Sequence, residues 1–161
     1  MIVIDNLYLR IDDFHQVYLG LGSNLGNKEE NLRKAIAMIN EQIGTVVRQS
    51  ALFYSEPWGY ESDNQFVNAV ILIETSLSPH DVLTASQRIE HLLGKTQAHA
   101  TERIESNTKN REISVTYHDR PIDIDILLYD DLHIDEPQLK IPHPLMQERD
   151  FVMIPLNGIK K

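Results

Sequence analysis

In the stretch Arg120-Pro121-Ile122-Asp123-Ile124-Asp125-Ile126-Leu127-Leu128-Tyr129, two carboxylates stand at i and i+2 in a run that is otherwise apolar and largely β-branched. A strand alternates its side chains, so Asp123 and Asp125 share one face, about 7 Å apart, while residues 122, 124 and 126 turn to the other face and can be buried. Two carboxylates in a partly dry cleft raise one another's pKa unless a cation compensates them. Hard divalent ions take such oxygen ligands, and Mg²⁺ commonly binds one or two carboxylates together with substrate phosphates. A solvated face on an acidic protein is the alternative reading of the same pattern.

Cations stand near the pair in sequence. Arg120 lies three residues before Asp123, and His143 and Arg149 follow; arginine suits bidentate contact with phosphate. His143 sits between Pro142 and Pro144, where the backbone is stiff. Gln87 and Glu90 lie one helical turn apart and share a helix face with Leu83. Ser55, Trp58, Phe66, Asn68 and Phe151 form a different set, flat rings with an amide, which suits a planar heterocycle held between rings and hydrogen-bonded at its edge. Aromatic residues beside strands also serve as core. Gly22-Ser23-Asn24-Leu25-Gly26 follows a strand and precedes a helix, where backbone N–H groups can cradle phosphate. It lacks the spacing of the known nucleotide loops, so a tight structural turn is the favoured reading.

The chain must fold so as to present these groups. Its 161 residues, 42% hydrophobic and 24% charged, suffice for one domain with its own core. The absence of cysteine excludes disulfides and thiolate chemistry. A formal charge of −9 argues against nucleic acid and anionic membranes as partners, but not against a phosphorylated small substrate met by a local basic cluster. Residues 1–15 resemble neither a signal peptide nor a membrane span, so a cytoplasmic location is expected.

Periodicity supplies the elements. Gln16 to Leu21 reads as a strand stopped by Gly22. Asn27 to Ile43 reads as a helix with Leu32, Ile36, Ile39 and Ile43 inward, a capping box of Asn27 with Glu30, and Gly44 at its end. Val46 to Tyr54 and Phe66 to Glu74 read as an antiparallel strand pair. A second helix starts at Ser78-Pro79, turns Val82, Ile89 and Leu92-Leu93 inward and ends at Gly94. Asp123 to Tyr129 is the fourth strand. Strand, helix, strand, strand, helix, strand is the order of an α+β ferredoxin-like domain, an antiparallel sheet with helices over one face and a site on the other. Ile141 to Pro144 is expected to be extended, and Leu145 to Arg149 to make one helical turn before the apolar run Phe151 to Leu156. Lys95 to Asp119, long, polar and just ahead of the acidic strand, is expected to be a lid over a bound polyphosphate, with Lys95, Arg103, Lys109 and Arg111 as its basic residues and none of them singled out; a solvated insertion that never touches the site is the alternative.

Taken together, G-S-N-L-G, F-Y-S-E-P-W-G, F-V-N-A-V, Q-R-I-E, D-R-P-I-D-I-D-I-L-L-Y and I-P-H-P-L-M-Q-E-R-D-F, in this order, resemble the 6-hydroxymethyl-7,8-dihydropterin pyrophosphokinases of folate synthesis. The resemblance spans about Val17 to Leu156. It implies transfer of pyrophosphate from ATP to the pterin alcohol with release of AMP, and two Mg²⁺ ions held by Asp123 and Asp125. It places Gln87, Glu90, Arg120, His143 and Arg149 at ATP-contacting positions, and Ser55, Trp58, Phe66, Asn68 and Phe151 at pterin-contacting ones. Arg120 would also stabilise charge moving along the polyphosphate. The chain departs from the pattern in the segment after Gly94, in its extension before Val17 and in its short C-terminus. A nucleotidyltransferase or cyclase palm also pairs strand carboxylates, but requires neither the aromatic set nor the P-H…R-x-F tail. A binding module of the same architecture would have no reason to keep Arg120, Asp123 and Asp125 together.

Overall fold

Alternation in three strands decides the architecture. β3 (His15–Ser23) turns Val17, Leu19 and Leu21 to one side, β6 (Phe66–Thr75) adds Val67, Ile71 and Ile73, and β7 (Asp123–Tyr129) adds Ile124 and Ile126, all of them buried in one apolar cluster. The computed structural model describes residues 2–4, 7–9, 14–57, 64–95 and 119–160. Two short strands, β1 (Ile2–Ile4) and β2 (Leu7–Leu9), make a separate antiparallel hairpin at the N-terminus. The five-stranded sheet runs β4 (Thr45–Gln49), β6, β3, β7, with β5 (Phe53–Ser55) also paired to β6, and every pairing is antiparallel. This is the ferredoxin-like arrangement expected from the order of elements.

Helices α1 (Lys28–Gln42) and α2 (Pro79–Lys95) close the apolar face, with Leu32, Ala35 and Ile39 from the first and Val82, Ala85 and Ile89 from the second. Burying each large aliphatic side chain contributes about 1.5–3 kcal/mol. Asn27 caps α1 by accepting from the Glu30 N–H, while the Glu30 carboxylate pairs with Arg33. In α2, Leu92 is exposed, because the inward stripe passes through Ala85, Ser86, Ile89 and Leu93, and Gly94 lies within the helix rather than after it. The expected strand Val46 to Tyr54 is divided. Ser50 is buried, and its N–H and hydroxyl engage the Val70 carbonyl and N–H; the pairings resume at Phe53 with one extra residue on that side, a local bulge.

The opposite face is shared. Its far part is covered by α3 (Asp150–Ile159), which follows a short 3-10 turn at Met146–Glu148. There Val70, Leu127, Met146, Val152 and Leu156 form a second, smaller cluster. Leu127 has no Cα partner in β3; the bulge it makes lets Leu127 and Leu128 both pack on this side. A hairpin of β8 (Ile134–Glu136) and β9 (Leu139–Ile141) follows β7, and the Ile141–Pro142 peptide is cis, so the chain turns where an extended run was expected.

Candidate active site

The near part of that second face is a cleft enclosing about 700 Å³ of space that opens to solvent. Its floor follows from the register. Asn68, Gly22 and Asp123 are paired across β6, β3 and β7 in one rung, and Val70, Gly20 and Asp125 in the next. The strand continues through Gly22 to Ser23 instead of stopping there. Two glycines on the central strand leave the carboxylates and the amide facing open space. A Cβ on Gly22 would meet Asn68 Oδ1 at 3.1 Å and the Phe66 ring at 3.4 Å, and one on Gly20 would meet Leu127 at 3.3 Å. Glycine within a strand signals such close approach. Gly20-Leu21-Gly22 was the sequence signal for the floor, which the expected strand end at Gly22 obscured.

One wall is acidic and basic. Arg120 Nη1 lies 3.2 Å from Asp123 Oδ1. Asp125 is pushed up to about 8 by desolvation first and by the charge of Asp123 second, with Arg149 and Arg120 opposing. Glu90 comes in from α2, and its Oε2 accepts the Ile124 N–H at 2.7 Å on the outer edge of β7. Burial, and then the charge of Asp123, raise it also to about 8. His143 is placed by its own N–H on the Leu127 carbonyl at 3.1 Å, and its Nδ1 accepts from Leu145 N at 3.3 Å, which leaves Nε2 as the N–H donor of the neutral ring. Burial and Arg149 hold its pKa below the ordinary histidine value. Arg149, 8% exposed, begins α3 with its guanidinium 5.6 Å from the centre of the Phe151 ring.

The other wall is Ser55, Phe66, Asn68 and Phe151. Asn68 Nδ2 donates to Phe53 O at 3.0 Å and Ser55 Oγ at 2.8 Å, which turns its Oδ1 over Gly22 as an acceptor. A second cavity of about 540 Å³ shares Asp125 and His143 with the first and extends along Leu83, Ile126, Leu139 and Lys140. The structure therefore brings together Arg120, Asp123, Asp125, His143, Arg149, Ser55, Phe66, Asn68 and Phe151. Gln87 is exposed on α2 and lines neither cavity. Glu90 adjoins the acidic pair through the β7 backbone. Trp58 and the expected lid, apart from Lys95 and Asp119, lie outside the described residues. The Gly22 to Gly26 turn is braced from within, with Asn31 Nδ2 donating to Ser23 Oγ at 3.3 Å and Leu25 O at 2.9 Å, and Gly26 left-handed at φ 70. This favours the structural reading of that loop.

Fold and cleft together define an α+β, ferredoxin-like domain of the group-transfer type, with a carboxylate pair and basic groups facing an aromatic and amide wall. A family model described as 7,8-dihydro-6-hydroxymethylpterin-pyrophosphokinase matches residues 18–161. The 2-amino-4-hydroxy-6-hydroxymethyldihydropteridine pyrophosphokinase of Porphyromonas gingivalis is 42% identical over 144 residues, covering 89% of each chain. The Bacillus subtilis protein of the same name is 38% identical over 143 residues, 88% of this chain and 76% of its own. Among solved structures, Plasmodium falciparum HPPK-DHPS matches the fold with a TM-score of 0.64 at 16% identity, over 90% of this chain and 40% of that one. The chain belongs to the 7,8-dihydro-6-hydroxymethylpterin-pyrophosphokinase family.

Proposed function

We infer that the protein transfers pyrophosphate from ATP to the hydroxymethyl group of 6-hydroxymethyl-7,8-dihydropterin, releasing AMP, as a step of folate synthesis. The observation that carries this reading is the cleft in which a carboxylate pair with arginines faces a ring-and-amide wall, in a chain of this family. The alcohol oxygen forms a bond to the β-phosphorus of ATP and loses its proton to solvent while the bond from that phosphorus to the α,β-bridging oxygen breaks, so AMP departs with that oxygen. Phe66 and Phe151 enclose the heterocycle, and Asn68 Oδ1 and Ser55 meet its edge. The nucleoside extends into the second cavity, and the polyphosphate lies where the two cavities share Asp125 and His143. Nε2–H of His143, Arg149 and Arg120 hold phosphate oxygens and oppose the charge that moves onto them. Gln87 and Glu90 remain proposed ATP-side residues, with Glu90 acting through β7.

Asp123 and Asp125 fit Mg²⁺. Both are hard oxygen donors on one strand face, close enough that the charge of Asp123 raises Asp125, and Mg²⁺ commonly takes one or two carboxylates together with waters and substrate phosphates. When bound, two Mg²⁺ ions supply charge neutralisation and in-line alignment of the polyphosphate. No helix among the described residues is long and apolar enough to cross a membrane; a cytoplasmic enzyme is proposed. Phosphorus NMR after incubation with Mg-ATP and the pterin alcohol tests the reading. AMP and a diphosphate ester are expected, and ADP with a monophosphate ester would overturn it.

A further inference from the structure

Asn24 is 1% exposed, directly after β3, and does not line the cleft. Its backbone and side chain grip Arg120 from both sides: Asn24 N donates to Arg120 O at 3.1 Å, and Arg120 N donates to Asn24 Oδ1 at 2.7 Å. The other end of the amide reaches two more groups, donating through Nδ2 to Asp119 Oδ1 at 2.7 Å and to Asn64 O at 3.5 Å. Asp119 completes the knot by accepting from Asn64 Nδ2 through Oδ2 at 3.2 Å. One buried amide thus joins three chain segments: the turn after β3, the entry to β6 two residues before Phe66, and the entry to β7 that carries Arg120 and leads to Asp123.

A core polar residue of this kind satisfies its own buried groups, but a turn needing only satisfaction has no need to reach two segments that enter opposite walls of the cleft. We propose that Asn24 is a positioning residue for the transfer, fixing the Arg120 backbone against the entry to β6 so that the guanidinium and the aromatic wall keep a set separation. This rests on the pyrophosphoryl-transfer reading of the cleft. Asn24 stands outside the cleft lining and acts through Arg120. Its effect arises because displacements of the order of 1 Å at a reacting centre cost up to about a hundredfold in rate.

The bonding pattern supplies its own control. In Asn24→Asp a carboxylate oxygen replaces Nδ2 and faces the Asp119 carboxylate, a like-charge contact that is repulsive once both are ionised, so the variants are compared at alkaline pH. Adding Asp119→Asn restores a donor: the amide nitrogen introduced by that second substitution can give to the new carboxylate while the amide oxygen accepts from Asn64, and Arg120 N keeps its acceptor. Two readouts are taken below the melting transition: AMP release under saturating substrates, and hydrogen exchange at the Arg120 amide in the protein without substrates. Asn24→Asp is expected to lower kcat at least about tenfold and to speed Arg120 exchange, with the double variant regaining most of both. Unchanged kcat in Asn24→Asp, or loss in the single variant without recovery in the double, overturns the proposal. Failure of the pyrophosphoryl reading would show separately, as a wild-type protein that releases no AMP while its Arg120 amide still responds to the substitutions.

Discussion

Among the described residues, Asp125 and Glu90 carry the clearest electrostatic cost. Both are acids held up to about 8 by desolvation and by Asp123, so the folded chain retains protons that the unfolded chain has released. For such groups the sign is fixed: stability is fullest below the ordinary carboxylate range near pH 4 and declines as pH rises towards about 8. Without divalent ions, Tm should therefore fall between pH 5 and pH 8, and Asp125→Asn should flatten that fall. Glu90→Gln should flatten it as well, since its carbonyl still accepts from Ile124. A Tm profile in chelator that is as steep in Asp125→Asn as in the parent protein would contradict this. In activity the direction reverses: Asp123→Asn or Asp125→Asn should lower transfer at least about a hundredfold, because ion-supplied stabilisation is worth several kcal/mol. Gly22→Ala tests the floor. The added methyl would displace Asn68 Oδ1 by a few tenths of an ångström, raising the pterin KM about tenfold with kcat little changed, the pattern of lost uniform binding.

At the scale of elements, the α1 to β4 turn leaves its glycine no room for a side chain. Thr75 Oγ1 donates to Ile43 O at 2.6 Å, and a Cβ on Gly44 would lie 2.5 Å from Glu74 O and 2.8 Å from Thr75 Cβ. Gly44→Ala should cost about 1–3 kcal/mol, read as a Tm drop of about 2–4 °C for each kcal/mol, with kcat intact below the transition. Much of the layout was legible in the sequence because it depends on local signals. Alternation in Asp123 to Tyr129 put both carboxylates on one face, and Asn27, Gly44 and Ser78-Pro79 marked helix ends. What escaped depends on docking or on competing signals. Pro155 lies inside α3 and lacks a backbone N–H, which hid a helix within an apolar run. Glu90 gave only a helix-face pair with Gln87, since a bond to the β7 backbone follows from how α2 lies along the sheet edge. Leu92 stands three residues after the buried Ile89, a spacing that also suits the inward face, yet it is exposed while Leu93, four residues on, packs against the core.

For the molecule as a whole, the cleft lies between two units of unequal size. The β3, β6 and β7 walls are backed by the larger apolar cluster under α1 and α2, whereas α3, which brings Phe151 and begins at Arg149, is held by the smaller one. Fewer buried apolar contacts mean a lower free energy of sub-global opening. Amides of residues 153, 154 and 156 to 158 should thus exchange faster than those at the centre of β3 and β6 in the empty protein. Since Arg149 and Phe151 line the cleft, a ligand that bridges both walls must be released before α3 can lift away. Occupancy would then slow α3 exchange in proportion to ligand concentration over its dissociation constant, by about 2.7 kcal/mol at a hundredfold excess. The last helix is in that sense a reporter: its exchange rate, followed by mass spectrometry during titration with a nonhydrolysable ATP analogue and pterin, gives the affinity of the cleft without any turnover being measured.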